Sequence, residues 1–305
     1  MKFRSLLSTI LILNIFFLVN SCSKEMPVET DEAMIVDDFR MMTVAYYRDS
    51  EDGNSIGVRF YETPRIINLP KTAENYAAIK KLLDESRDKK TPIAIELKDI
   101  TDINAARIPT PHELGIYNDI IHKPIDNLET EIFKKVISMD ELNEIFAYMA
   151  AQGCATGTAE IDYCIPFQYV VDGCYARAHK MRQVLQNKYG VNCEKVFSYE
   201  GASGSLAVDA GDCCVFWWYH VAPLVSVSTV FGVQKFVMDP SMFDHPVTIQ
   251  EWTTAQENTD CTAWADFGHF EITEGWCYSP GYYGDDDYSS TNWTLQWYAD
   301  LETCD

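Results

Sequence analysis

Cysteine placement constrains this sequence more than any other feature. Of ten cysteines, one is Cys22 and the other nine all lie between Cys154 and Cys304, with none from residue 23 to 153. Such a break predicts two parts: a front region that folds without cross-links and a back region stapled by them. Paired cysteines belong to oxidising compartments. Nine is odd, so the count predicts four bridges and one free thiol. A structural zinc site fits less well, because the sequence has no two C-x-x-C pairs.

The N-terminus agrees with export. Lys2 and Arg4 precede an apolar run from Leu6 to Val19, too short for a convincing spanning helix. Val19-Asn20-Ser21-Cys22 has the form of a bacterial lipobox. Residues 1–21 are therefore read as a signal peptide and Cys22 as the lipidated residue. That makes the protein an exported, membrane-anchored lipoprotein, touching the membrane only through its N-terminal lipid. Residues 22–38 form an acidic tether. The net charge is −22, and no Lys or Arg follows Lys235. A surface of that sign repels phosphate backbones, which excludes nucleic acid as a partner.

Residues 39–135 read as a small α+β unit. Strands are expected at Met41–Tyr47, Ile56–Tyr61 and Pro92–Leu97, with helices at Thr72–Ser86 and Pro111–Ile121. A connecting stretch over about 122–137 carries His122-Lys123-Pro124 and Lys134-Lys135, bonds open to a processing protease. Residues 136–305 are the disulfide-rich part. Ser138-x-x-Glu141 predicts a capping box for a helix with Leu142, Ile145, Phe146 and Met149 on its apolar stripe.

The residues suited to chemistry lie in this second part. Asp172-Gly173 is a turn signal, and from Cys174 the pattern becomes helical as far as Gly190. Cys174 thus sits at a helix N-terminus, where the dipole and free N–H groups favour a thiolate and can receive an oxyanion. A buried or bridged structural cysteine is the plainer alternative at that position. Cys214–Val227 and Val233–Asp239 read as strands joined by a turn at Ser228–Gly232. In a simple hairpin, His220 and Asp239 would be cross-strand neighbours on one face. Asp239 would then orient the imidazole, and His220 would take the Cys174 proton and pass it to the departing amine.

At these positions the sequence resembles the bacterial protein-glutaminase family. The resemblance is carried by VDGCYARAHKMRQVL at 171–185, Asn192-Cys193-Glu194-Lys195, Cys213-Cys214, Tyr219-His220-Val221 and Met238-Asp239-Pro240-Ser241. It implies an α+β fold with a papain/transglutaminase-like catalytic domain: a nucleophile helix packed on an antiparallel sheet, preceded by a small α+β pro-domain. It also implies a hydrolase that converts protein-bound Gln to Glu and ammonia, made as an inhibited pro-form. Cys174 matches the nucleophile, His220 the base and Asp239 the orienting acid. The front stretch IGVRFYETPRIINLPKTAEN resembles the pro-region, but Arg65 of Pro64-Arg65-Ile66 stands where the resemblance implies a substrate-like Gln, a departure that predicts a pro-loop blocking the cleft without imitating the reactive glutamine.

Gln168, six residues before Cys174, has the spacing of an oxyanion-hole glutamine in papain-like proteases. Trp217, Trp218 and Tyr219 are candidates for an apolar wall around the substrate methylenes, although core packing is their commoner use. His179 is read as structural, and His112, His122, His245 and His269 form no ligand cluster. Asp285-Asp286-Asp287 lacks a calcium-loop framework and reads as a solvated loop. No metal and no cofactor is expected. The partners expected are Gln-containing proteins or peptides and a processing protease, with the chain a monomer. A cysteine protease, a transglutaminase and a non-catalytic surface lipoprotein remain rival functions.

Overall fold

The computed structural model describes residues 35–36, 39–121, 135–281, 284–285 and 287–304. The signal peptide, Cys22 and nearly all of the tether, together with the connecting stretch at 122–134, lie outside the described residues. Among the described residues no helix is long and apolar enough to cross a membrane.

The front part contains β1 (Ile35–Val36), β2 (Phe39–Met42), β3 (Val44–Asp49), β4 (Ser55–Phe60), β5 (Thr63–Pro70), α1 (Tyr76–Lys89), β6 (Ile93–Lys98), β7 (Asp102–Arg107) and α2 (Pro111–Ile121). Its core is built from Val58, Phe60, Ile67 and Leu69 of the β4–β5 hairpin, packed against Ile79 and Leu83 of α1 and Ile93 and Ile95 of β6. The helix expected from Thr72 begins instead at Tyr76. Pro70 to Asn75 make successive turns first, with Ala73 N–H donating to the Pro70 carbonyl and Tyr76 N–H to that of Ala73.

The back part contains β8 (Ile137–Ser138), α3 (Met139–Ala151), a 3-10 turn at Cys154–Thr156, α4 (Cys174–Tyr189), β9 (Glu194–Glu200), β10 (Leu206–Asp209), β11 (Cys214–Trp217), β12 (Tyr219–Thr229), β13 (Gly232–Val237), α5 (Ile249–Thr254), β14 (Phe267–Glu274) and α6 (Ser289–Tyr298). Ser138 caps α3 by accepting from Glu141 N–H. The Glu141 carboxylate turns away to Lys135 at 2.7 Å, so the expected capping box closes on one side only. Leu142, Ile145, Phe146 and Met149 are all buried. Burying such side chains stabilises by about 1.5–3 kcal/mol each.

The run from Cys214 to Val227, expected as one strand, is two. The chain changes sheet at Trp218: β11 pairs with β10 and β5, whereas β12 lies between β13 and β9 in a second sheet that ends in β14. From Tyr219 to Val225 every residue of β12 is buried. α4 and α3 pack on this strand, and α5 packs on its partner β13. A strand covered on both faces reads as a continuous apolar run rather than an alternation.

The two parts share a sheet. β5 of the front part pairs antiparallel with β11 of the back part, Arg65 opposite Trp217, and the described residues fall in one compact unit. Disulfides join Cys154 to Cys164, Cys213 to Cys304 and Cys214 to Cys261. The expectation of four bridges is therefore corrected to three among the described residues, and Cys174 and Cys277 are buried free thiols.

Candidate active site

The turn before Cys174 is held from several sides. Gly173 precedes α4 in the left-handed region, φ +77°, and a Cβ there would come within 2.8 Å of the Tyr298 ring. Asp172 Oδ1 accepts from Gly173 N–H at 2.7 Å. Arg177, one turn into α4, donates through Nη1 to the carbonyls of Tyr169 and Asp172, both at 2.6 Å. Trp217 Nε1 donates to the Val170 carbonyl at 3.0 Å. Glycine and its neighbours thus fix the direction in which the helix starts, and with it the place of the thiol.

The Cys174 side chain is buried, 2% exposed. Burial pushes its thiol up to about 12; Arg177 and a hydrogen bond from the backbone of Val221 pull the other way, while Asp172 and Asp239 add to the rise. The Val221 contact puts the sulfur beside the residue that follows His220 in β12.

His220 and Asp239 are brought together. His220 Nε2 lies 2.8 Å from Asp239 Oδ2. The imidazole stacks on Trp217, ring centroids 4.5 Å apart, and faces Trp252 on its other side at 5.4 Å. Asp239 is also held by Trp252 Nε1 on Oδ2 at 2.9 Å and by the Ser241 hydroxyl on Oδ1. Burial alone would raise the Asp239 carboxyl, but the imidazole, Ser241 and Trp252 outweigh it and hold it at about 2. With Nε2 on the carboxylate, Nδ1 is the nitrogen left for chemistry, and it is buried with no hydrogen-bond partner.

The route to this pair differs from the expected one. β12 and β13 close a two-residue turn with Thr229 opposite Gly232 and Leu224 opposite Val237. β13 ends at Val237, and Met238 N–H donates to the Pro223 carbonyl. Continuing that register sets Asp239 opposite Ala222, two residues from His220 rather than directly across. A shift of two preserves the face, because side chains alternate with period two.

The other nominated residues are placed as follows. Gln168 Nε2 donates to the Ala299 carbonyl at 2.8 Å, and its Oε1 is buried without a partner. Its amide is thus spent on the end of α6, and no described contact joins it to Cys174. Trp218 Nε1 donates to the Thr63 carbonyl at 2.7 Å, and its backbone N–H donates to the Pro64 carbonyl. Tyr219 packs in the core cluster that contains Cys174, its hydroxyl buried without a partner. Arg65 Nε forms an ion pair with Asp172 Oδ2 at 2.9 Å, both side chains buried. Ile66 packs against the same core cluster as Cys174. His179 is buried between Lys195 Nζ, 2.9 Å from Nδ1, and the Asp285 carbonyl, 3.1 Å from Nε2. Asp285 is not solvated as expected: it is buried and accepts from Ser290 and Thr291 at the start of α6. Among the described residues no group of three His, Cys, Asp or Glu is placed to hold a metal.

Sequence reasoning missed Trp252 and the role of Asp172. Trp252 follows the Thr248–Glu251 capping box of α5, a start signal readable in the sequence. Asp172 carried only a turn signal.

Comparison with known proteins bears on what this arrangement is. A family model described as "Glutaminase" matches residues 142–256. A crystal structure of pro-protein-glutaminase is 34% identical, covering 88% of this chain and 95% of that one, with a TM-score of 0.75. A crystal structure of protein-glutaminase is 42% identical over 56% of this chain and 93% of its own, TM-score 0.52. The NMR structure of protein-glutaminase from Chryseobacterium proteolyticum, also 42% identical, covers 55% of this chain and 91% of its own, TM-score 0.50. No curated protein matches. Fold, site and matches together define an amide-hydrolysing enzyme with a pro-region and a catalytic domain. The chain belongs to the protein-glutaminase family.

Proposed function

We propose that this chain is a protein-glutamine deamidase, made as an inhibited pro-form, with Cys174, His220 and Asp239 as its catalytic residues. The observation that carries the reading is the 34% identity to pro-protein-glutaminase across 87% of the chain. The site chemistry is consistent with it. His220 Nδ1 takes the Cys174 proton as the sulfur attacks the δ-carbonyl of a protein-bound glutamine. The N–H groups at the start of α4 receive the oxyanion. The tetrahedral intermediate collapses to a thioester as the His220 proton leaves on ammonia. His220 then takes a proton from water, whose oxygen attacks the thioester. The products are a glutamate side chain and the regenerated thiol. Asp239 keeps the imidazole in the tautomer that leaves Nδ1 free.

Residues 39–135 act as the inhibitory region and 136–305 as the catalytic domain, with cleavage between them by a processing protease. Residues 1–21 direct export, Cys22 carries the lipid, and the enzyme works as a monomer outside the cytoplasmic membrane. The full chain, cut by limited proteolysis within 122–134 and separated from its front fragment, is incubated with casein. Ammonia released without new peptide termini or cross-links is the expected result, and Cys174→Ala abolishes it. New termini would replace the reading with a protease, cross-links with a transglutaminase, and no product from the cut chain with a binding role.

A further inference from the structure

The front part brings three cations to two carboxylates of the back part. Asp172 Oδ2 takes Arg65 Nε at 2.9 Å and the Thr63 hydroxyl at 2.9 Å. Glu200, at the end of β9, takes Arg59 through Nε on Oε1 at 2.6 Å and Nη2 on Oε2 at 3.0 Å. Arg48 Nη2 lies 2.5 Å from the same Oε1, and the Tyr46 hydroxyl donates to it at 2.5 Å. The side chains of Asp172 and Glu200 are 2% and 0% exposed. Every described side-chain partner of the Glu200 carboxylate comes from residues 46–59, and both described side-chain partners of Asp172 Oδ2 come from residues 63–65.

Each carboxylate stands on an element of the candidate site, Asp172 just before α4 and Glu200 at the end of β9, the strand paired with β12. Asp172 is two residues before Cys174. Glu200 donates its backbone N–H to the Trp218 carbonyl, beside Tyr219 of the core cluster that holds Cys174. The segment that delivers Arg65 lies as an extended strand on β11, with Arg65 opposite Trp217 and the Pro64 carbonyl on Trp218 N–H. That is how an extended peptide binds a sheet edge: the main chain supplies affinity, and side-chain pockets supply selectivity. When the front part leaves, two carboxylates lose their described cationic partners at once. A carboxylate in a cleft that loses its partner is costly until another cation or water satisfies it.

We infer that Asp172 and Glu200 form two acidic subsites that select substrates with Lys or Arg flanking the reactive glutamine. The inference rests on the deamidase reading and specifies its substrate class. A substrate with acidic flanks is disfavoured by the same two charges.

The test uses the full chain cut within 122–134 and separated from its front fragment, with synthetic peptides containing a single glutamine. Lys, Ala or Glu is placed in turn at each of the neighbouring positions, and kcat/KM is read from ammonia release at low and high salt. Lys at one or more positions is expected to raise kcat/KM over Ala by about 10-fold to 100-fold, with Glu below Ala and the spread narrowing in salt. Glu200→Gln is expected to shrink the Lys-to-Ala ratio at one position while leaving the ratio at the Asp172-dependent position. Equal kcat/KM across the set, or a preference for Glu, overturns the subsites while the deamidase reading stands. No ammonia from any peptide or from casein sinks the deamidase reading itself. The wild-type peptide scan decides the matter even where Glu200→Gln fails to fold.

Discussion

A thiol held at about 12 is almost wholly protonated at neutral pH, with roughly one molecule in 10⁵ ionised at pH 7. The Cys174 thiolate is therefore suppressed in its buried position, even though the helix start would favour it in the open. Alkylation of Cys174 by iodoacetamide, followed by mass spectrometry of its peptide, is expected to be slow in the uncut chain and at least about 10²-fold faster once the front part is gone. Asp239 works in the opposite sense. Its carboxyl is depressed to about 2, so its contribution to stability is complete above its ordinary value near 4 and is lost as pH falls toward 2. Asp239→Asn keeps the shape but puts the wrong hydrogen on the imidazole partner. Deamidation by the cut variant is expected to fall by about 10²-fold to 10⁴-fold, with KM little changed.

At the scale of elements, the segment leading into α4 is strapped from behind. Thr303 Oγ1 donates to the Gln168 carbonyl at 2.6 Å and accepts from Val170 N–H at 2.9 Å, while Cys304 is bridged to Cys213. The bridge closes a loop of 91 residues, for which chain entropy gives a contribution of about 3–5 kcal/mol. Cys304→Ser is expected to lower the unfolding midpoint and to raise hydrogen exchange at 168–170, as measured by mass spectrometry. The same elements show what the sequence revealed. α3 and α4 were legible because a cap, a turn signal and a 3.6-residue stripe coincide at each. The His220–Asp239 face was legible through strand parity, although the register was off by two because the hairpin is centred one residue later, between Val230 and Phe231. The break at Trp218 was not legible: both strands are rich in aromatic and β-branched residues, and the change of sheet is dictated by the docked β5, a tertiary partner far away in sequence. The same holds for Asp172 and Glu200, whose meaning comes from arginines more than a hundred positions earlier.

At the scale of the whole molecule, pH acts on the stability of the fold through Glu62, in the turn between β4 and β5. Its carboxylate accepts from Thr43 N–H at 2.9 Å and from the Tyr117 hydroxyl. Burial raises it to about 7 against those hydrogen bonds. A carboxyl whose folded value exceeds its unfolded value binds more protons when folded, so this contribution falls as pH rises from about 4.5 to about 7 and is level above. The uncut chain should therefore lose thermal stability across that interval, and Glu62→Gln should flatten the loss. The pairing of β5 with β11 has a consequence for how the enzyme is switched on. Severing the connection at 122–134 breaks one covalent link but none of the contacts at Trp217, Asp172 or Glu200. It turns an intramolecular partner, present at a local concentration on the order of millimolar, into a separate molecule that must escape. Activity after the cut should then rise with dilution and fall again when the purified front fragment is added back. The cut sets the opportunity, and the volume into which the fragment is shed sets the rate.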